Sequence, residues 1–238
     1  MALEEKKVVV VGGSSGIGLA AARDLARAGA KVTIASSRSK TLADAKALAP
    51  ELETRKVDVR DPEAVVELFK SIGEFDHLVV SAANAVFGNF LQAELGKLQE
   101  FLDTKFWGAC RVVHAAAPKI TKTGTITLVS GAASHRGTGG LAIGSAINAA
   151  LEALGRSLSL ELSPIRVNTI APGLIDTPVW DELVSPEEKR TIFNESAAKL
   201  PTKRIGRPED IAHAIRFVIE NTYMTGQVVI TDGGYLQV

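Results

Sequence analysis

An α/β fold, with a parallel sheet covered by helices on both faces, is predicted for this chain by three observations. Short β-branched runs alternate with longer Ala- and Leu-rich amphipathic segments along its length, the pattern of strands joined by crossover helices. Residues 7–11 are a lysine and four valines without polar alternation, as a strand buried on both sides requires. No internal repeat, low-complexity tract or Pro/Ser-rich linker interrupts the 238 residues. The span 1–238 therefore reads as a single domain, long enough to bury a core without covalent staples.

After the valine strand, residues 17–28 form a helix with Leu19, Ala22, Leu25 and Ala26 on one side and Gly29 as its stop. Residues 31–35 give the second strand and 41–49 the second helix, which Pro50 ends. A strand at 54–57, a helix at 62–72 and a strand at 77–81 repeat the unit. Helices are expected across 92–118, then a strand at 125–129 and a long helix at about 145–162. A strand at 165–170, a helix at 208–220 and a last strand at 227–230 complete the order. Residues 172–201 are the long interruption, with Trp180, four prolines and only a short helical pattern near 187–198. They read as a substrate lid, at about 174–201, over the edge of the sheet.

Charge and cysteine content exclude several classes of function. Lys and Arg number 27 and Asp and Glu 27, a formal net charge of zero, so no global basic field exists to hold nucleic acid or an acidic membrane. Cys110 is the only cysteine, which rules out an intrachain disulfide and fits a reducing compartment. The opening MALEEKKVVVVGG starts with acids and runs straight into the first strand, unlike a signal peptide. No apolar run reaches the roughly 18 residues of a membrane helix, and a soluble, cytoplasmic protein is expected. His77, His114 and His213 fall on different elements, without the ligand spacing of a metal site.

Between the first strand and the first helix stands Gly12-Gly13-Ser14-Ser15-Gly16-Ile17-Gly18. Glycines let a backbone turn sharply and approach a pyrophosphate, while the helix N-terminus offers free N–H groups and a favourable dipole. Strand before and helix after are the context that turns a glycine string into a dinucleotide signal; a merely tight turn is the other reading. An NAD site places an acid on the adenine ribose about 20 residues past the glycines. Here the chain has Ala35-Ser36-Ser37-Arg38-Ser39-Lys40, with no acid. Ser37 and Arg38, beside Lys40, suit a 2′-phosphate and point to NADP(H) over NAD(H); the alternative is that these cations solvate a loop.

With these residues in place, the chain resembles the short-chain dehydrogenase/reductase family over nearly all its length. Residues Val11 to Gly18 resemble that family's Thr-Gly-x-x-x-Gly-x-Gly turn, with valine for threonine. Asp58-Val59 matches the pair that contacts adenine, and the stretch from Asp76 to Ala83 sits at the Asn-Asn-Ala-Gly strand end in degraded form, with Ala82 kept. Arg166-Val167-Asn168, then Pro172-Gly173-Leu174-Ile175-Asp176-Thr177, match the segment that cradles the nicotinamide. Arg207-Pro208-Glu209-Asp210-Ile211 and Thr225-Gly226 with Asp232-Gly233-Gly234 match the C-terminal pattern. The resemblance implies a seven-stranded, doubly wound Rossmann sheet, a small-molecule substrate and assembly as a homodimer or homotetramer. The cofactor contacts it implies are Gly12, Ser14, Ser15, Gly16, Ile17, Gly18, Ser37, Arg38, Asp58, Val59, Ala82, Asn148, Pro172, Gly173, Ile175 and Thr177.

The resemblance fails at the chemistry. The family uses Asn, Ser, Tyr and Lys, the last two spaced Tyr-x-x-x-Lys so that both lie on one helix face and the ammonium lowers the phenol's pKa. By the same carry-over, Gly144 stands at the tyrosine, Asn148 at the lysine, Gly131 at the serine and Lys105 at the asparagine. The only tyrosines are Tyr223 and Tyr235, and Gln227 stands four residues after the first, so no Tyr-x-x-x-Lys exists. Glycine offers no proton and asparagine carries no charge to tune one.

Three residues are candidate substitutes. Lys105 would lie near the lost lysine and would bind a ribose hydroxyl, steer an anionic substrate or donate a proton with a burial-depressed pKa, unless it is an ordinary helix lysine with its head in solvent. Ser130, one residue before the expected serine, should face the other side of the sheet and fix the strand end. His135, after Ser134 in the loop expected to rim the pocket, is an acid–base candidate or a surface histidine. Ser145 reads as a helix N-cap. Phe101, Phe106 and Trp107 read as a helix interface, and Trp180 and Phe193 as walls of a substrate pocket, with Asp176 and Asp181 nearby. Three functions remain open: an atypical NADP(H)-dependent oxidoreductase on a small carbonyl or alcohol, a non-redox cyclase or isomerase using the bound cofactor as a scaffold, and a cofactor-sensing binding protein.

Overall fold

The four valines of residues 8–11 lie on an inner strand of a seven-stranded sheet. The computed structural model describes residues 3–84 and 86–238. Strand β1 (Lys7–Val11) is flanked by β2 (Lys31–Ser36) and β4 (Phe75–Val80), with β3 (Glu53–Lys56) outside β2. On the other side follow β5 (Ile120–Val129), β6 (Arg166–Pro172) and β7 (Val228–Thr231). The order is β3-β2-β1-β4-β5-β6-β7 and every pairing is parallel. This is the doubly wound Rossmann-like sheet expected, and its strand order reverses between β1 and β4, where such folds bind ligands outside the carboxyl ends of the strands.

Alternation along β1 divides the core. Val8 and Val10 join one buried cluster with Leu25 of α1 (Gly16–Arg27), Leu42 of α2 (Ser39–Leu48) and Ile211, Ile215 and Val218 of the last helix. Val9 and Val11 join the opposite cluster with Leu68 and Phe69 of α3 (Pro62–Ile72) and with Val112 and Leu151 from later helices. Each valine removed from water contributes roughly 1.5–3 kcal/mol, which is why the strand carries no polar residue after Lys7.

The expected helices across 92–118 form α4 (Leu95–Leu102), a π-helical turn at Asp103–Trp107 and α5 (Gly108–Ala116). Strand β5 begins at Ile120, earlier than the predicted 125, because Ile120 pairs with Phe75 before a register shift. The long helix α6 (Ala142–Glu161) starts three residues early, with Leu141 at its N-cap. Ser145 is therefore not a cap; it lies one turn inside the helix, and its Oγ is buried without a partner. Between β6 and α8 (Pro208–Glu220) lie a 3-10 turn, Pro178–Glu182, and α7 (Pro186–Lys199), which Ser185 and Glu188 start as a capping box. Among the described residues, no helix is long and apolar enough to cross a membrane, and no group of His, Cys, Asp and Glu is placed to hold a metal ion.

Candidate functional site

The glycine turn lies at the carboxyl end of β1, and its shape depends on missing side chains. Gly12 has a φ of 84°, and a Cβ there would stand 2.4 Å from the Ala82 backbone nitrogen. A Cβ on Gly18 would stand 2.1 Å from the Gly12 carbonyl oxygen, so this glycine lets α1 press against the turn. Ser15 caps α1 without a side-chain hydrogen bond, and no acid lies in the helix's first turn. The positive end of the helix dipole is thus left uncontested by the chain's own carboxylates, which fits an anionic group such as a pyrophosphate.

Beyond the glycine turn, the candidate residues of β2 and of the segment after β3 lie as polar clusters at the surface and behind the turn. Ser14, almost fully buried, donates to Ser36 Oγ at 2.9 Å and accepts from Thr41 Oγ1 at 2.9 Å, a hydroxyl cluster behind the turn. Ser37 and Arg38 are exposed at the end of β2. Arg38 Nη1 donates to Glu182 Oε1 at 2.5 Å, and Lys40 pairs with Asp44 instead of joining it. The Arg60 guanidinium binds Asp58 at 2.7 Å and holds its carboxyl below the usual carboxylate range. Val59 is buried against Gly108, where a Cβ would come within 2.7 Å of it.

Toward the other end of the cleft, Gly173 donates its N–H to the Thr231 carbonyl at 3.0 Å, and a Cβ there would stand 2.6 Å from the Asp232 Cα. Ile175 bridges to Gly206, and Thr177 lies over the glycine turn, 3.3 Å from where a Cβ on Gly16 would stand. Of these residues Thr177 is the one held against the glycine turn, while Pro172 and Gly173 are fixed to the end of β7 and Ile175 to Gly206. Arg166 and Asn168 are not part of this arrangement. Arg166 donates to the carbonyls of Val218, Ile219 and Met224, and Asn168 bonds Met224 and Gln227; both tie the end of α8 and the start of β7 to β6.

Lys105 meets Asn148 across the centre of the site. It sits in the π-helical turn, a local widening often found at functional positions. Its Nζ donates to Asn148 Oδ1 at 2.6 Å and to the Ser130 carbonyl at 3.1 Å. Burial pushes its pKa down from 10.5 to about 8, and the Glu152 carboxylate opposes that shift. Asn148 also explains Gly131: a Cβ there would stand 2.6 Å from Asn148 Nδ2. At Gly144 the nearest atom to a built Cβ is in the Phe101 ring, at 3.6 Å, an ordinary contact.

Behind this pair lies a buried carboxylate. Glu152, 3% exposed, accepts hydrogen bonds from Ser130 Oγ at 3.0 Å and Ser134 Oγ at 2.6 Å. His135 Nε2 approaches its other oxygen at 3.0 Å. Ser130 Oγ also reaches the Ile170 carbonyl at 3.3 Å, tying it to β6; its bond to Glu152 turns it toward α6, the helix that position 131 also faces, and not to the opposite side of the sheet expected for it. Sequence reasoning missed Glu152, although the signal was present: it stands four residues past Asn148, on the same face one turn along.

Aromatic and acidic candidates after β6 pair mainly with one another. Trp180 is buried between Phe87 and Phe193, with ring centroids at 5.1 and 5.4 Å, and its Nε1 donates to the Ile175 carbonyl at 3.1 Å. Asp176 and Asp181 both bind Lys189, at 2.9 and 2.8 Å, and raise its pKa. Of the expected aromatic interface, Phe101 is buried but Trp107 is half exposed. His77 is buried against Thr125 Oγ1 at 3.0 Å, a core histidine remote from the site.

A family profile described as enoyl-(acyl carrier protein) reductase matches residues 11–236. Carbonyl reductase family member 4 of Danio rerio is 33% identical over 236 residues, covering 95% of this chain and 96% of that protein. The short-chain dehydrogenase/reductase ATR9 of Stachybotrys chlorohalonatus (strain IBT 40285) is 32% identical over 249 residues, covering 96% of each. Among solved structures, a small-chain dehydrogenase in complex with NADPH superposes with a TM-score of 0.85 at 33% identity, over 99% of this chain and 100% of that one.

Proposed function

The chain belongs to the short-chain dehydrogenase/reductase family of oxidoreductases, whose members use a nicotinamide cofactor, and from that premise we propose that it is an atypical NADP(H)-dependent oxidoreductase in which Lys105 handles the proton. The carrying observation is the 2.6 Å bond from Lys105 to Asn148. It supports the view that the family's asparagine and lysine have traded helices, with an ammonium kept at the same place. The substrate is a small carbonyl or alcohol, in a protein of the cytoplasm assembled as a homodimer or homotetramer.

When bound, the dinucleotide supplies or accepts the hydride; the rest falls to the chain. Gly12, Ser14, Ser15, Gly16, Ile17 and Gly18 would hold the pyrophosphate, Ser37 and Arg38 the 2′-phosphate, and Asp58 and Val59 the adenine. Ala82, Asn148, Pro172, Gly173, Ile175 and Thr177 would frame the nicotinamide half. Lys105 has three N–H donors. Two go to Asn148 and Ser130, and the third is directed at a substrate oxygen, which it protonates in reduction. A pKa of about 8 keeps it charged near neutral pH yet able to release a proton, as a general acid requires. Ser130 and His135 serve through Glu152, whose carboxylate favours the charged lysine. Residues 174–201 form the lid that excludes water from the cleft.

A fluorescence titration tests the cofactor: NADPH binding in the micromolar range, with NADH about ten-fold weaker, matches the loss of one charge-assisted contact. NADPH deuterated at C4 tests the chemistry, because an oxidoreductase moves the label into product. Turnover with the label left in place would favour the cyclase or isomerase reading.

A further inference from the structure

Arg38 and Glu182 are separated by 144 residues in sequence, yet their side chains form one ion pair that joins the end of β2 to the 3-10 turn after β6. We propose that Glu182 is a specificity-determining residue that occupies Arg38 in place of a 2′-phosphate and links that group's arrival to the aromatic turn above the cleft. The proposal rests on the NADP(H) reading and adds to it a competitor and a consequence.

The pair is built to be displaced. Its side chains are 54% and 61% exposed, and exposed pairs of this kind are weak. A phosphate brings more charge and more acceptor oxygens to a guanidinium than a carboxylate does. It also repels Glu182, so both groups cannot share Arg38 at close range. Glu182 ends the 3-10 turn Pro178–Glu182, and Trp180 lies in the same turn, held between Phe87 and Phe193. The turn spans five residues, so a backbone shift that accompanies the release of Glu182 would reach the indole two positions away. Recognition at the adenine end would thereby be felt at the aromatic cluster beside the substrate side of the cleft.

The chain has two tryptophans, so a Trp107→Phe background leaves Trp180 as the sole reporter. Adenosine 2′,5′-bisphosphate is the probe and adenosine 5′-monophosphate the control. The bisphosphate is expected to change Trp180 emission and the monophosphate to leave it unchanged. Glu182→Gln should tighten the bisphosphate about two- to five-fold, leave the monophosphate unaffected, and abolish the emission change. Equal bisphosphate affinity in both proteins, with silent emission, would overturn the proposal while leaving the NADP(H) reading intact. A bisphosphate that binds no better than the monophosphate, with Arg38→Ala without effect, would overturn the NADP(H) reading and this proposal with it.

Discussion

At Lys105 one ammonium serves two acceptors and faces a third group, the Glu152 carboxylate, without touching it. Its folded pKa of about 8 against an ordinary 10.5 means the unfolded chain binds a proton that the folded one lacks between those values. Stability therefore rises with pH across that window, by up to about 3 kcal/mol. Urea unfolding at pH 7.5 and 10 should show the rise in wild type and its disappearance in Lys105→Met. The same substitution should lower hydride transfer by about 10²–10⁴-fold; an unchanged rate would remove Lys105 from the mechanism. Gly131 and Asn148 are coupled in the same way. A serine at 131 must push the Asn148 amide off Lys105, so Gly131→Ser should cost about 1–3 kcal/mol. A double-mutant cycle with Asn148→Ala should recover most of that cost.

Among the elements, β4 carries the clearest pH dependence. Burial holds His77 at about 4, well below 6.5, so the native state excludes a proton that the unfolded chain binds between those values. Stability should fall as pH drops from about 6.5 toward 4, and unfolding midpoints in that range should flatten in His77→Gln. The π-helical turn shows where sequence reading stopped. Apolar spacing across 92–118 reports helix, and the family pattern puts Lys105 near Asn148. Neither reveals that five residues, Asp103–Trp107, widen the helix and aim that side chain. The start of α6 was missed for a related reason. Serine is a favoured N-cap, but Leu141 takes that position and Ser145 lies one turn inside.

For the molecule as a whole, the alternation of strands and helices carried the fold almost completely, because the inner strands are mostly apolar and Gly12, Gly13 and Gly18 of the first turn leave no room for a side chain. Of the candidate site, the glycine turn and the nearness of Lys105 to Asn148 were legible, because a motif carries each. Long-range pairings such as Arg38 with Glu182 or His135 with Glu152 leave no local pattern, since each partner is an ordinary polar residue where it stands. Ligand linkage gives the molecule-scale prediction. At a hundred times its Kd, NADPH should stabilise the fold by about 2.7 kcal/mol, raising Tm by about 5–10 °C. Scanning calorimetry with and without the cofactor would show it, and no shift would mean the glycine turn holds no dinucleotide.

The close approach of Gly173 to Asp232, with β7 laid against β6, bears on how the protein is made. Synthesis proceeds from the N-terminus and domains fold as their residues appear. The half proposed to hold adenine, from β1 to β3, is synthesised early, whereas the floor beneath Pro172 and Gly173 needs a strand emerging some 55 residues later. The two halves proposed to hold the cofactor are thus made far apart in time, and the proposed reaction chamber waits for the last strand to leave the ribosome.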